Sequence, residues 1–140
     1  MGPESTFFGR YDHSLDAKGR LILPSRLRTR LGARCFLTAH LEGCLALWPG
    51  ETFLSEIESR ESEATDTWSR NAVREWFAKV AEVEQDNQGR ILISSELREY
   101  GGLEREVIVI GVHTHVELWS PGRWASKELA PAGVEHVIGP

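Results

Sequence analysis

The sequence predicts a mainly β chain with added helices, an α+β protein in which two copies of one unit interlock into a small β-barrel. Three observations predict it. Asp16-Ala17-Lys18-Gly19-Arg20-Leu21-Ile22-Leu23 returns 70 residues later as Asp86-Asn87-Gln88-Gly89-Arg90-Ile91-Leu92-Ile93, the self-similarity of a duplicated unit. Phe7, Gly9, Tyr11, His13 and Leu15 alternate with Phe8, Arg10, Asp12 and Ser14, the period of two of a half-buried strand. Between the copies, Phe53, Leu54 and Ile57, then Trp68, Ala72, Trp76, Phe77 and Val80, recur at helical spacing around an acidic stretch.

The repeat divides the chain into a first unit over residues 7–53, a helical linker over 54–76, a second unit over 77–124 and a tail over 125–140. Ser25, Leu27 and Arg28 fall on Ser95, Leu97 and Arg98; after a one-residue shift Leu47-Trp48 falls on Leu118-Trp119 and Phe53 on Trp124. Each unit reads strand, tight turn, strand, short helix, strand, strand, helix. Gly19 and Gly89 supply the positive φ that a hairpin turn often needs. Pro24-Ser25 opens a helix over 25–31, proline being tolerated in a first turn. Cys35 to Ala39 and Val107 to Ile110 read as buried strands, answered by Leu45 to Trp48 and Val116 to Trp119. Turns fall at Glu42-Gly43 and at 112–114. The linker divides into two helices around a loop at 61–67. After Lys127 the composition shifts to Ala, Pro and Gly, a tail expected to fray or to dock on a neighbour. One unit has too few strands to close a sheet and cover its edges; two fused units solve this internally, with a pseudo-two-fold axis relating the two Asp-to-Arg turns.

Composition narrows the function. With 140 residues, 41% hydrophobic and 26% charged, the chain makes one compact domain or two joined half-domains and is neither a multidomain enzyme nor disordered. No run approaches the roughly 18 apolar residues of a membrane span, and residues 1–10 lack a basic segment followed by a hydrophobic one, so a cytoplasmic protein is expected. Cys35 and Cys44 are too few for a disulfide scaffold or a four-thiolate zinc site and read as reduced core residues. The formal net charge of −5 conceals an asymmetry: residues 1–40 hold seven Lys and Arg against three Asp and Glu, and the remaining hundred residues hold 9 against 18. A basic face on an acidic body still attracts phosphate, because distant charges are screened beyond about 8 Å at physiological salt.

The turns carry the chemistry. Lys18 and Arg20 project from the first, Gln88 and Arg90 from the second; arginine forks onto a guanine edge or a phosphate, and an amide pairs with adenine or phosphate. The structural alternative is that Asp16 and Asp86 accept turn amides while Arg20 and Arg90 close salt bridges to them. One arginine side chain has the capacity for both. Arg26, Arg28, Arg30 and Arg34 form a second basic group, read either as a solvated face paired with the acidic linker or, for Arg26 and Arg28, as phosphate contacts. Glu96 stands where the first unit has Arg26, so the basic surface is lopsided. His113 and His115 sit two apart, with His40 at the related loop of the other unit, a spacing able to share a metal, but without a clear third and fourth ligand no metal site is expected. His13 aligns with Val83 as a packed residue, and Trp48, Trp68, Trp76 and Trp119 read as core or subunit contacts. Ser25, Ser94 and Ser95 have no partner pattern for a nucleophile, so no catalytic site, cofactor or small-molecule substrate is expected.

The paired turns, each an Asp followed four residues later by Arg, with Leu47-Trp48 and Leu118-Trp119 closing the units, resemble those of the MraZ family, bacterial transcriptional regulators of two tandem SpoVT-AbrB-type units. The resemblance covers roughly residues 6–127. It implies a double-split β-barrel with swapped hairpins, assembly into a ring of identical subunits, and nucleoid-associated binding to double-stranded DNA. The DNA sites it implies are short repeated elements at the protein's own promoter and the division and cell-wall gene cluster. It implies DNA contacts at Lys18, Arg20, Gln88 and Arg90, on turns shaped by Asp16, Gly19, Asp86 and Gly89. Ser94 departs from the proline that many members carry there, which bears on how that helix starts. Two other functions stay open: a structural or protein-binding ring, and an AbrB-like antitoxin, although antitoxins of that type usually carry one unit and a toxin-binding tail.

Overall fold

A computed structural model describes residues 6–127; the tail read from the composition shift after Lys127 lies outside them. The first unit runs through β1 (Arg10–Ser14), β2 (Arg20–Ile22), α1 (Ser25–Leu31), β3 (Arg34–Ala39), a 3₁₀ turn at Leu41–Gly43 and β4 (Leu45–Pro49). Two helices follow, α2 (Gly50–Glu63) and α3 (Thr67–Ala78). The second unit repeats the order as β5 (Ala81–Glu84), β6 (Arg90–Leu92), α4 (Ser95–Gly101), β7 (Glu106–Val112) and β8 (His115–Trp119), closed by α5 (Pro121–Ser126). Ser94 Oγ accepts the Leu97 N–H at 3.3 Å and caps α4, a bond its counterpart Pro24 cannot make at α1.

Six strands form one antiparallel sheet in the order β1-β7-β8-β4-β3-β5, and β2 pairs with β6 as a separate two-stranded ribbon. That order maps onto itself when the units are exchanged. Each unit forms its own hairpin, β3-β4 or β7-β8, but sends its first strand to the other unit: β1 pairs with β7 (Tyr11 opposite Val109) and β5 with β3 (Val83 opposite Cys35). The pseudo-two-fold axis passes where equivalent positions meet, between Leu21 and Ile91 in the ribbon and between Ala46 and Glu117 in the sheet. The α+β class expected from the repeat is present. Among the described residues no continuous ladder closes the strands into a barrel; between sheet and ribbon there is the single Leu15–Leu21 bridge.

The period of two explains which faces are buried. Leu21, Leu23, Ile91 and Ile93 point from the ribbon into one core with Leu27, Leu31 and Leu97 of the short helices and Leu37, Leu45, Leu47, Val109, Val116 and Leu118 of the sheet. On the opposite sheet face Trp48, Phe53 and Trp76 pack under α2 and α3, with Trp76 Nε1 donating to the Ala39 carbonyl at 3.1 Å. Trp119 packs against Trp124 of α5. Trp68, expected as a core or subunit contact, lies outside this core, being 82% exposed near the start of α3. Cys35 and Cys44 are buried free thiols, and burial pushes Cys35 up to about 12.

The exchange of β1 and β5 leaves neither unit with a complete sheet. Residues 1–65 and 66–140 expressed separately are therefore expected to be insoluble or to pair with themselves, and to regain soluble structure on mixing. Two monomeric, cooperatively melting halves would show that the exchange is dispensable.

Candidate nucleic-acid interface

The two turns are built alike, atom for atom. Asp16 Oδ1 accepts the backbone N–H groups of Lys18 and Arg20, each at 2.9 Å, and Oδ2 accepts Arg20 Nε at 2.8 Å. Asp86 repeats this with Gln88, Arg90 and Arg90 Nε, at 2.9, 2.9 and 2.7 Å. The carboxylate thus serves as the hub of an Asx-type turn. The backbone N–H of Arg20, with the Arg20 side chain and the Lys18 amide, holds Asp16 below the ordinary carboxylate range; the same contacts from Arg90 and Gln88 bring Asp86 to about 2. The salt-bridge reading of the arginines is met here. Each closes a salt bridge through Nε, and among the described residues its two Nη groups have no hydrogen-bond partner. Lys18 and Gln88 are exposed at the turn tips.

Gly19 and Gly89 are buried with φ of 79° and 76°. A second constraint fixes them as glycine: a Cβ on Gly19 would lie 2.9 Å from the Arg98 guanidinium carbon, and one on Gly89 would collide with Arg28. Arg28 and Arg98 are repeat equivalents. Each donates Nε to the strand-end carbonyl of its own unit, Leu23 at 2.8 Å and Ile93 at 3.1 Å, and covers the turn of the other. The turns are also tied backbone to backbone, with Leu23 N–H donating to Gly89 O at 2.9 Å and Ile93 N–H to Gly19 O at 3.0 Å.

With Leu21 and Ile91 facing the core, the outer ribbon face presents Arg20 opposite Leu92 and Ile22 opposite Arg90. The two arginines are diagonal cross-strand neighbours, about 7–8 Å apart by ordinary sheet geometry. Ile22 and Leu92 are 39% and 57% exposed, which leaves two aliphatic side chains in solvent between the cations. The four turn residues read from the sequence, Lys18, Arg20, Gln88 and Arg90, therefore come together at one ribbon, joined by Arg28 and Arg98.

A family model described as "MraZ protein, putative antitoxin-like" matches residues 6–74 and 76–129. The chain belongs to the MraZ family. Proteins named transcriptional regulator MraZ are similar to it along most of its length. That of Acetivibrio thermocellus is 49% identical over 121 residues, covering 86% of this chain and 85% of that protein. That of Thermomicrobium roseum is 44% identical over 122 residues, covering 86% of both, and that of Carboxydothermus hydrogenoformans is 42% identical over 142 residues, covering 94% of this chain and 99% of that protein.

Within this MraZ-family frame, the second basic group disperses. Arg26 is exposed, Arg30 donates to the Thr6 carbonyl at 2.8 Å, and Arg34 pairs with Glu82 and Glu84 of β5 at 2.9 and 2.8 Å. The acidic partners of Arg34 thus lie on the exchanged strand β5, and not on the acidic linker that is one of the alternatives for this group. Arg98, Ile22 and Leu92 were not singled out in the sequence reading, although each stands 70 residues from a counterpart at the same ribbon, Arg28, Leu92 and Ile22 respectively. No helix among the described residues is long and apolar enough to cross a membrane.

The folded pKa of Asp86 lies below that of an unfolded aspartate, so its stabilising effect is complete above about pH 4 and is lost as pH falls through about 2. NMR titration of the carboxyl carbon should place its midpoint near 2, and Asp86→Asn should flatten the acid limb of the stability curve. An Asp86 midpoint near 4 would mean that the turn is open in solution.

Proposed function

We propose that this chain is a DNA-binding transcriptional regulator that reads duplex DNA with the outer face of the β2–β6 ribbon. The observation that carries this is the pair of diagonal arginines, each anchored by its aspartate through Nε with the Nη fork unpaired among the described residues, on a chain whose net charge is −5. The B-DNA major groove admits a two-stranded ribbon, and its guanine edges take the arginine fork while thymine methyls accept aliphatic contact. Arg20 and Arg90 supply the fork and Ile22 and Leu92 the aliphatic surface. Lys18 and Gln88 sit at equivalent tips but differ in chemistry, so the two halves of one element need not be identical. Arg28 and Arg98 brace the turns and add positive charge beside the phosphates, with Arg26 further out.

The same reading takes the six-stranded sheet and the ribbon, packed on one core, as the double-split barrel of the family. It takes the chain as cytoplasmic and nucleoid-associated, acting at its own promoter and the division and cell-wall gene cluster. Exposed Trp68, Leu54 and Phe77, at 82%, 58% and 39%, support assembly of identical subunits through α2 and α3, since large apolar side chains left in solvent mark contact surfaces. A ring would set identical ribbons side by side along DNA that carries repeated elements.

Arg20→Ala is expected to cost about 1–3 kcal/mol of specific binding per subunit engaged while leaving the melting temperature and assembly unchanged. Anisotropy titration against DNA from upstream of the protein's own gene, with a scrambled control, checks this. Affinity should fall with salt at a slope of about −0.9 per phosphate neutralised. If Arg20→Ala melts the fold along with binding, or if no salt-dependent binding occurs, the turns are only structural corners of a protein-binding ring.

DNA with three elements should bind about 100-fold or more tighter than DNA with one, as expected when linked sites engage together. Inserting about five base pairs, half a helical turn, between elements should remove that gain. Equal affinity for one and three elements would show that each subunit reads DNA alone.

A further inference from the structure

The β4–β8 strands at the centre of the sheet carry a second cluster, on the face away from the ribbon. His115 and Glu117 lie two apart on β8 and share that face, and His40, at the end of the β3 hairpin arm, joins them from the first unit. Glu117 Oε2 is 3.1 Å from His115 Nε2 and 3.5 Å from His40 Nε2. The three donor atoms all lie within 4.8 Å of one another. Both histidine side chains are 10% exposed and Glu117 is 16% exposed, so the two imidazoles are nine-tenths enclosed and the carboxylate slightly less.

We propose that His40, His115 and Glu117 form a binding site for one divalent transition ion of the zinc type, held between the two units. Two imidazoles and a carboxylate are a donor set that zinc accepts. Metal–ligand bonds of about 2.0–2.1 Å in tetrahedral geometry set neighbouring donors about 3.3 Å apart, and the two Glu117 distances straddle that value. The arrangement around the donors is that of a supported site. Trp119 Nε1 donates to Glu117 Oε1 at 2.9 Å and leaves Oε2 for the ion. Thr114 Oγ1 lies 3.0 Å from His115 Nδ1, and a proton on that nitrogen puts the lone pair on Nε2. Trp48 stacks on the His115 ring with centroids 4.3 Å apart, fixing its plane.

His40 Nδ1 is buried and has no hydrogen-bond partner among the described residues, so no bond holds the ring from the side away from Glu117. The donor atoms of His40 and His115 lie within 4.8 Å of each other, and a turn of the His40 ring would bring them to the spacing of a shared ion without breaking a bond to Nδ1. An open cleft lined by His40, Glu42, Arg60, Glu75, Trp76 and Tyr100 reaches the cluster at His40. Arg60 in that cleft is bonded to Glu56 at 2.8 Å. The site is single: at the 71-residue offset the first unit has Cys44 and Ala46 where the second has His115 and Glu117. One ion would therefore clasp the first unit's β3 arm to the second unit's β8. This inference does not depend on the DNA reading.

The test uses the untagged full chain stripped with chelator. Zinc titration by calorimetry should give one ion per chain, and excess zinc should raise the melting temperature by roughly 5–10 °C at about 100 times Kd. Cobalt substitution should give the intense ligand-field bands of a four-coordinate site, with hyperfine-shifted NMR resonances from two imidazoles. His40→Gln and His115→Gln should each weaken binding at least about 100-fold, whereas His113→Gln on the exposed hairpin turn should leave it unchanged. The cobalt and NMR signals come from the native chain, so they decide the matter even if a variant fails to fold. Binding at less than one ion per chain, six-coordinate cobalt without imidazole shifts, or loss on His113→Gln but not on His40→Gln would each overturn the proposal.

Discussion

Strand edges that only the other unit can satisfy govern this molecule. β1 has β7 and β5 has β3 as ladder partners, and an edge left open exposes a row of backbone donors and acceptors to any other chain. Once those two exchanges are made, the hairpins that follow β1 and β5 are carried toward each other and β2 has β6 as its neighbour. The ribbon is therefore a product of the exchange. Its inner residues Leu21 and Ile91 close the core at the pseudo-dyad, and its outer residues are set out with two arginines diagonal to each other. Disturbing β1 would displace the ribbon before it displaced the sheet centre, where β4 and β8 meet.

At the turns, rigidity and availability are divided within single side chains. An exposed ion pair is worth only about 0–1 kcal/mol, and the Asp16–Arg20 pair, at 35% and 31% side-chain exposure, is too open to be a main source of stability. Its value is directional. The Nε–carboxylate bond removes rotamer freedom from a long side chain, freedom that would otherwise be lost on meeting a ligand. The ion pair and the recognition role proposed for the arginines call on different nitrogens of one guanidinium.

Much of this was legible in the sequence. The 70-residue repeat exposes both Asp-to-Arg turns, strict alternation exposes β1, and the run of Leu27 and Leu31 after Pro24 exposes α1 with its observed bounds. What pattern reading lacked was information carried by pairing between units. Arg28 and Arg98 sit at ordinary helix positions, and only the exchanged topology lays each over the opposite glycine. Glu117 shares a strand face with His115 by simple periodicity, yet His40 reaches them through the strand order. Trp68 and Trp76 lie on one helical apolar series, which does not tell core from subunit contact; eight residues before Trp76, about 12 Å along the axis, Trp68 is exposed where Trp76 is buried.

The crossed packing of Arg28 on Gly89 and Arg98 on Gly19 has a genetic consequence. A lesion in the first helix would be felt at the second turn, and one in the fourth helix at the first, so phenotype and map position are transposed across the gene. Duplication ordinarily frees one copy to drift. Here each half holds the mould for the other's turn, and a side chain gained at either glycine would push aside an arginine some 60 to 80 positions away. A change in one half is therefore registered in the other.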